Sequence, residues 1–590
     1  MIDLTISLTT DGTKSLKELL TEKGVSLYAP CAGRGTCGQC IVKVLSGPCP
    51  PSERDKEVLS ADEIGQGMRL ACRAFPNGDI TVAVPEKKNP VICSEFSVNR
   101  THQTDHSVSS QADKSASGLR VGIDLGTTTI VLTTLGSDGT AGETRAFLNP
   151  LSVYGSDVVS RLESAADGHL LEMRTILRNK IEEELKSLNA SLTPAENFVM
   201  PHISMIALAG NTVMTHIFMG WDVSGLGKYP FKPYSLDAAQ TELLGIPVTV
   251  FPGISAFVGG DIVAGIYGLD LINGRVGDML MDLGTNGEMV LMTEKGLIAS
   301  SASAGPALEG AHISCGTGCV EGAVTGITLE NLRPVLTVAG ARSFRPTDNT
   351  ANNSANDSPS DTPGLSDTSV HPSDTAGSSG TSVHPSDTPR QSGTSVHPSG
   401  NPGLSDTSVH PSGNKGLAGA CGSAILELVD ELLRTGILSS DGTFSKNYAD
   451  EGFAFGTDRN GRVLALTQAD VREIQLAKGA VSTAALMLCE KGCTDPKDLH
   501  ISLAGGMGSG LRPERIRRTG LIPAASEVRA VGNSVLCGLM RFFRDSSDPA
   551  STSSALRALS DIAGSVTVYD LALDDKFQKK FLDSLDFIQE

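Results

Sequence analysis

Residues 31 to 40 form the stretch CAGRGTCGQC, which places three of the chain's 12 cysteines within ten positions. The spacing is Cys31-x5-Cys37-x2-Cys40, and Cys72 in RLACRAF can supply a fourth thiolate. A zinc site is usually built from two closely spaced cysteine pairs, whereas Cys72 has no cysteine two or three residues away. The pattern therefore favours a [2Fe-2S] cluster held by these four cysteines.

Cys49 is the competing fourth ligand, but it lies beside prolines in SGPCPP, a setting typical of a surface turn. Around the cysteines, MIDLTISL, CIVKVLSG and DITVAVPE predict strands, and KSLKELLTEKG predicts a short helix that ends at glycine. Strands, a helix and a cluster loop within residues 1–87 resemble a β-grasp ferredoxin domain. Plant-type ferredoxins differ in having a first cysteine gap one residue shorter.

Composition limits the remaining possibilities. A chain of 590 residues has room for about three or four domains. Its formal charge of −19 and the lack of basic runs argue against nucleic-acid binding. The N-terminus lacks the pattern of a signal peptide, and no window approaches 18 uninterrupted apolar residues. We therefore expect a cytoplasmic protein that does not bind membranes, a compartment that suits reduced cysteines.

Two segments of low complexity interrupt the chain. Residues 88–118 lose apolar periodicity and are rich in Ser, Asn, Gln, Thr and His, which predicts a linker. Residues 344–415 contain TSVHPS four times at a 13-residue period, and four of the eleven histidines lie in this repeat. A metal-binding tract is conceivable, but single histidines among Pro, Ser, Asp and Gly are more typical of a disordered insertion.

A second motif begins at Leu119 with LRVGIDLGTTTIVLTTL. The pattern predicts a strand that ends near Asp124, a turn, and a second strand that pairs back as a hairpin. A carboxylate at a strand end can hold a magnesium ion through water, and the turn offers backbone and hydroxyl donors to phosphate oxygens. Taken alone, the turn could also belong to an ordinary tight hairpin. The candidate phosphate-binding residues are Gly126, Thr127, Thr128 and Thr129.

The same design recurs in GDMLMDLGTNGEMVLM at residues 277–292, where Asp282 takes the place of Asp124. Its turn consists of Gly284, Thr285, Asn286 and Gly287, and Glu288 follows directly. Further along, HISLAGGMGSG places three glycines after another predicted strand, where the backbone could closely approach an adenosine. These glycines are Gly505, Gly506 and Gly508.

Two phosphate hairpins followed by a late Gly-Gly turn resemble the sugar kinase, Hsp70 and actin superfamily of ATPases. The resemblance implies a multidomain α/β protein, in which a β-grasp ferredoxin domain precedes a duplicated ribonuclease-H-like core with a disordered insertion. It also implies ATP and Mg²⁺ as cofactors beside the [2Fe-2S] cluster. By this resemblance Asp124 and Asp282 hold Mg²⁺ through water, and Glu288 orients the attacking water.

A ferredoxin domain, a linker and this core together resemble the ATP-dependent reductive activators of corrinoid proteins. The resemblance covers everything outside the linker and the repeat, although Thr317-Gly318-Cys319 departs from the expected continuation. The segments that carry it include NPLSVYGSDVVSRLESA, ALAGNTVMTHIFMG, GLGKYPFKPY, FPGISAFVGGDIVAGI, SAGPALEGAHISCG, GACGSAILELVDELL and VTVYDLALDDKFQKKFLDSLDF.

The resemblance implies that the protein passes an electron from its cluster to the Co(II) centre of a corrinoid methyl-carrier protein and so regenerates Co(I). The implied partners are the corrinoid protein of a methyltransferase system and a low-potential electron donor. The oligomeric state stays open, with a homodimer as one option. The expected organisation is a cluster domain at 1–87, a linker at 88–118, the first part of the core at 119–343, the insertion at 344–415, and the rest of the core with a C-terminal extension at 416–590.

Three alternatives remain. A redox-linked small-molecule kinase would need a phosphoryl acceptor. A ferredoxin adaptor with a non-catalytic Hsp70-like binding core would be expected to carry a substrate-binding β-domain, and none is evident after the core. The iron-sulfur subunit of a molybdenum hydroxylase would need four more cysteines directly after residue 87, where only Cys93 is present.

Overall fold

The computed structural model describes residues 4–23, 25, 27, 40–84, 118–135, 141–155, 157–191, 203–310, 313–339, 416–459, 461–508, 510–525 and 527–588. Cys31, Cys37, nearly all of the expected linker and the whole TSVHPS insertion lie outside these residues. Within the described part of the chain, no helix is both long enough and apolar enough to cross a membrane.

The cluster domain is a four-stranded antiparallel sheet with strand order β1-β4-β2-β3. Its first helix begins with a capping box, in which the Ser15 hydroxyl accepts from the Glu18 N–H and the Glu18 carboxylate accepts from the Ser15 N–H. Its elements are β1 (Leu4–Asp11), α1 (Leu16–Glu22), β2 (Ile41–Ser46), α2 (Glu53–Val58), α3 (Ala61–Gly65), β3 (Met68–Leu70) and β4 (Asn77–Val84).

The first half of the core is a six-stranded sheet with order β7-β6-β5-β8-β10-β9. Strands β5, β6 and β7 form an antiparallel meander, and β8 and β10 continue the sheet parallel to β5. Its elements are β5 (Leu119–Leu125), β6 (Thr129–Leu135), β7 (Ala141–Leu148), α4 (Val158–Ser164), α5 (Leu170–Ser191), β8 (Ile203–Gly210), α6 (Thr212–Met219), β9 (Ala239–Leu243), β10 (Ile246–Val250) and α7 (Gly260–Gly268).

The second half repeats this pairing in a sheet of order β20-β19-β11-β12-β13-β21, which confirms the predicted duplication. Its elements are β11 (Asp278–Leu283), β12 (Gly287–Thr293), β13 (Gly296–Ala302), β14 (Ala323–Glu330), β15 (Arg333–Val338), β16 (Gly419–Ala420), α8 (Gly422–Arg434), β17 (Phe453–Thr457), β18 (Val463–Leu466), α9 (Gln468–Gly492), β19 (His500–Ala504), α10 (Gly505–Gly508), β20 (Glu527–Gly532), α11 (Ser534–Asp545), α12 (Pro549–Ser565), β21 (Thr567–Val568) and α13 (Phe577–Asp583).

The two halves meet where α7 packs against α11. Glycines make this contact possible, because a Cβ atom on Gly538 would lie only 2.2 Å from the carbonyl oxygen of Ala264. A Cβ on Gly268 would likewise lie 2.5 Å from the backbone nitrogen of Gly538. The backbones therefore approach more closely than any larger residue at these positions would permit.

Candidate functional site

The tips of the two predicted phosphate hairpins face each other. The hydroxyl oxygens of Thr128, after β5, and Thr285, after β11, are 3.1 Å apart. The two motifs are 157 residues apart in sequence, and the duplicated fold brings them to one cleft. The structure thus places the two predicted turns side by side.

The glycines of these turns are required by close contacts. A Cβ atom on Gly126 would lie 2.3 Å from the carbonyl oxygen of Thr129, within the same turn. Gly505 has φ +90°, and a Cβ there would lie 2.5 Å from a carboxylate oxygen of Asp282. The late glycine turn, which includes Gly506 and Gly508 in α10, therefore approaches the second hairpin, while its predicted contact with adenosine stays a prediction.

Asp124 and Asp282 are both held by residues at the start of α11. The side-chain amide of Asn533 donates to Asp124 at 2.6 Å, and the Ser534 hydroxyl donates to Asp282 at 3.1 Å. Asn533 also caps α11 by accepting from the Leu536 N–H. In sequence, a polar pair before an apolar run signals a helix start, but nothing there indicates two carboxylate partners.

Several acidic side chains line this cleft, and burial is the largest cause of their raised pKa values. The pKa of Asp124 rises to about 7 and that of Asp282 to about 6. Asp261, in the first turn of α7, has its pKa raised to about 7 by burial and then by the charge of Asp282. The pKa of Glu288 lies well above its usual range, mainly because its carboxyl group is buried and also because the charges of Asp261 and Asp282 repel its ionised form. Such a cluster is stabilised when a cation or protons neutralise it.

The carboxylates do not converge on one point. In the described part of the chain, no three His, Cys, Asp or Glu side chains are close enough to ligate a single metal ion directly. An arrangement of this kind suits a hydrated Mg²⁺ ion, which usually keeps several of its waters.

Glu309 is a residue that the sequence analysis missed. Its carboxylate accepts hydrogen bonds from the hydroxyls of Thr128 and Thr285, each at 2.9 Å, and so joins the two hairpins. Burial raises its pKa. It lies in SAGPALEGAHISCG, where no local pattern distinguishes it from a surface glutamate.

Asn211 positions the first hairpin from the side of the sheet. Its side-chain amide donates to the Thr127 hydroxyl at 2.9 Å, and its carbonyl oxygen caps α6 by accepting from the Met214 N–H. The backbone is equally confined, because a Cβ on Gly259 would lie 2.5 Å from the Asn211 Cα. Asn211 therefore supports the hairpin as a helix cap.

The structure brings together two of the four predicted cluster ligands. The sulfur atoms of Cys40 and Cys72 are 3.3 Å apart, and both residues are buried. Cys31 and Cys37 lie outside the described residues. The expectation that Cys49 lies in a surface turn is wrong, because it is only 7% exposed and its carbonyl accepts from the Arg69 guanidinium at 2.9 Å.

Three family models match the chain. A 2Fe-2S iron-sulfur cluster binding domain matches residues 3–77, the RACo middle region matches 119–273, and the C-terminal domain of RACo, the ASKHA domain, matches 277–590. The predicted fold class, a ferredoxin-type domain followed by an actin- and Hsp70-like core, is therefore confirmed.

Among curated relatives, the corrinoid activation enzyme RamQ of Eubacterium limosum is 24% identical over 495 residues, which cover 78% of this chain and 69% of that protein. A component of the Na⁺-translocating NADH-quinone reductase of Chlamydia felis is 33% identical over 85 residues, 14% of this chain and 20% of the relative. A solved structure of a reductive activator for corrinoid, iron-sulfur protein shares the fold with a TM-score of 0.60 and 20% identity, covering 98% of this chain and 96% of its own.

Proposed function

Because this chain belongs to the family of the RACo C-terminal ASKHA domain, we propose that it is an ATP-dependent reductive activator of a corrinoid protein. One electron passes from its [2Fe-2S] cluster to a Co(II) corrinoid, which becomes Co(I). The observation that carries this proposal is that a single chain joins a buried cysteine pair to a cleft lined by two phosphate-type hairpins. RamQ, a corrinoid activation enzyme, supports the same assignment.

The cleft has the groups that a magnesium nucleotide requires. Thr127, Thr128 and Thr285 offer hydroxyls to phosphate oxygens, and the turn glycines let the backbone approach them. Asp124 and Asp282 would hold the water shell of Mg²⁺, and the charge of the ion would offset the burial that raises the pKa values of both carboxyl groups. The remaining nucleotide contacts that we propose are Gly126, Thr129, Gly284, Asn286, Gly287, Gly505, Gly506 and Gly508.

Glu288 is the residue that we assign to the attacking water. It faces Asp282 across the hairpin, since the two residues pair in register between β11 and β12. Its side chain is 7% exposed, so a water beside it is shielded from bulk solvent. A cation that neutralises Asp261 and Asp282 would lower the pKa of Glu288. More of the Glu288 carboxyl group would then be ionised and able to accept a proton.

The cysteine pair fits an iron-sulfur cluster by its chemistry. Thiolates are the ligands that such clusters use, and the buried sulfurs of Cys40 and Cys72 already lie beside each other. A bound [2Fe-2S] cluster supplies a one-electron carrier with a potential of about −400 mV in plant-type proteins. Cys40 and Cys72, with Cys31 and Cys37, are the ligands that we propose.

Nucleotide is needed because Co(I) is a strong reductant. Each 100 mV by which a one-electron donor falls short costs about 2.3 kcal/mol. A nucleotide that binds one conformational state more tightly can offset a deficit of this size by favouring that state. We further propose a low-potential electron donor and a cytoplasmic location as the setting for this reaction.

The test mixes the purified protein with a Co(II) corrinoid protein, a reductant and ATP, and follows the visible spectrum. We expect Co(I) only when all components are present, together with release of free phosphate. Transfer of phosphate to a small molecule would instead favour a kinase. Cys72→Ala should abolish the rhombic signal of the reduced cluster, whereas Cys49→Ala should preserve it, and the reverse result would reassign the fourth ligand.

A further inference from the structure

The segment NPLSVYGSDVVSRLESA contains a short turn that contacts both the first phosphate hairpin and the cluster domain. We define the coupling turn as residues 149–153, of which Pro150–Val153 form a single 3₁₀ turn. We propose that this turn transmits nucleotide occupancy of the first phosphate hairpin to the cluster domain. The inference rests on the proposed function, because it concerns how the nucleotide cleft of that function influences electron delivery.

One end of the coupling turn is bound to the phosphate hairpin. The Asn149 side-chain amide donates to the carbonyl of Gly126 at 2.8 Å, and the Asn149 N–H donates to the carbonyl of Thr128 at 2.8 Å. The Asn149 side-chain oxygen accepts from the Leu151 N–H, so the same residue also holds the turn. Asn149 is 1% exposed and Leu151 is fully buried, which means that the turn moves together with the hairpin.

The other end of the coupling turn is bound to the cluster domain. The carbonyl of Val153 accepts a hydrogen bond from the Lys17 ammonium at 2.9 Å. Lys17 lies in α1 and is buried at 9% exposure, so this charged donor has been withdrawn from water at the contact. A buried ammonium requires such acceptors, and the contact therefore holds the two modules in a defined position.

Helix α1 is in turn bound to the loop that carries a proposed cluster ligand. The N–H groups of Leu16 and Lys17 donate to the carbonyls of Ala74 and Ala71, at 2.8 and 3.0 Å. Cys72 lies between these two acceptors. A continuous set of contacts thus connects the phosphate hairpin, the coupling turn, α1 and the Cys72 loop.

Phosphate bound at residues 126–128 would fix the two carbonyls that hold Asn149. The Val153 carbonyl would then be presented to Lys17 in one orientation, and the cluster domain would be held more firmly when nucleotide is bound. The alternative is that the Lys17 contact only joins the domains and is indifferent to nucleotide. Hydrogen exchange separates these cases, because it reports the protection of α1 directly.

The experiment uses the full-length protein with its cluster and measures exchange in residues 16–22 with and without Mg²⁺ and a non-hydrolysable ATP analogue. We expect nucleotide to slow exchange there at least threefold. Lys17→Met should lose this slowing and keep cluster absorbance, while its nucleotide affinity should fall only by the factor that this coupling contributes. Lys14→Met is the matched control, because Lys14 is exposed and pairs only with Glu22 among the acidic side chains described.

Lys17→Arg keeps a charged donor and should retain the slowing, which protects the test if Lys17→Met folds poorly. Unchanged exchange in α1 of the wild-type protein despite nucleotide binding would overturn the inference and leave the proposed function intact. Full slowing in Lys17→Met would overturn it as well. A protein that binds no nucleotide at all would overturn both this inference and the proposed function.

Discussion

The two halves of the core share the order of five of their six strands but differ in the chemistry of their hairpins. The first hairpin offers hydroxyls at three consecutive positions, Thr127 to Thr129, whereas the second has Thr285 followed by Asn286 and Gly287. The second half also contributes Glu288 and Glu309, whereas the first contributes Asp261. The duplication thus repeats the scaffold, while each half adds different acidic residues to the paired aspartates.

The start of α11 shows how the unequal halves are joined. Asn533 contacts the aspartate of the first half and Ser534 contacts the aspartate of the second, so adjacent residues of one helix hold both carboxylates. Substitutions that affect one half at a time can therefore test how the contributions of the two halves differ.

The largest effect should come from the paired aspartates. Asp282→Asn and Asp124→Asn remove charge from the nucleotide cleft while keeping the shape of the side chain. We expect each to lower ATP turnover by roughly 10²- to 10³-fold, with electron delivery to Co(II) falling in parallel. Cluster absorbance should not change. Phosphate release and Co(I) formation are the measurements, and Asp561→Asn on the exposed face of α12 is the control.

Normal ATP turnover in either variant would show that the nucleotide cleft does not need both of the duplicated aspartates. Normal reduction of the corrinoid protein by Asp282→Asn without ATP hydrolysis would go further, because nucleotide would then be regulatory at most and the proposed mechanism would fail.

The second-largest effect should come from a substitution at the contact between the two halves, where α7 packs against α11. Gly538→Ala places a methyl group 2.2 Å from the Ala264 carbonyl, so α7 and α11 must separate. Overpacking of this kind costs about 1–3 kcal/mol, or roughly 2–10 °C in melting temperature for a domain of this size. Calorimetry measures the shift. Gly564→Ala on α12 is the control, since open space surrounds that position, and an equal loss there would exclude the helix contact as the cause.

For Glu309, the direction of the expected change in ATP affinity can be stated in advance. Its carboxylate accepts from the two hydroxyls that phosphate would also use, so it competes with nucleotide. Glu309→Gln removes the charge, and we expect ATP to bind about 3- to 10-fold more tightly by calorimetric titration. Glu330→Gln, at an exposed position on β14, should leave the affinity unchanged. Weaker binding in Glu309→Gln would show instead that this carboxylate supports the magnesium nucleotide.

The sequence predicted the parts of the cleft that are encoded locally. Asp124 and Asp282 each follow a strand and precede a glycine turn, so a short window contains the whole signal. Asp261 and Glu309 could not be found in this way. Glu309 lies 24 residues from Thr285 and 181 from Thr128, and only the folded chain brings these groups together.

In the cluster domain, by contrast, a prediction from a local pattern was wrong at Cys49. The cysteine spacing predicted its chemistry, but Cys49 is buried in the apolar core of this domain, and its carbonyl accepts from Arg69 on β3. Prolines around a cysteine indicate a turn, yet they do not say whether another strand buries it.

The smallest predicted effect concerns α9, which in the second half takes the place that α5 has in the first. Helix α5 buries apolar residues such as Leu177 and Ile181, whereas α9 buries Lys478 at 1% exposure. Its ammonium donates to the Asp586 carbonyl and lies 5.3 Å from the centre of the Phe587 ring. A charge is therefore buried on α9, whereas the buried side chains that the structure describes on α5 are apolar.

Burial lowers the pKa of Lys478 to about 8, below the value of 10.5 for an exposed lysine. Between pH 8 and 10.5 the unfolded chain binds this proton more tightly than the folded chain, so stability from this residue rises with pH across that window and is lowest below pH 8. Lys478→Met removes the dependence. We expect the melting temperature of the variant, relative to wild type, to fall by roughly 1–4 °C between pH 7.5 and 9.5. Lys186→Met, at an exposed position of α5, should show no such trend, and a pH-independent difference for Lys478→Met would mean that its ammonium titrates like an exposed one.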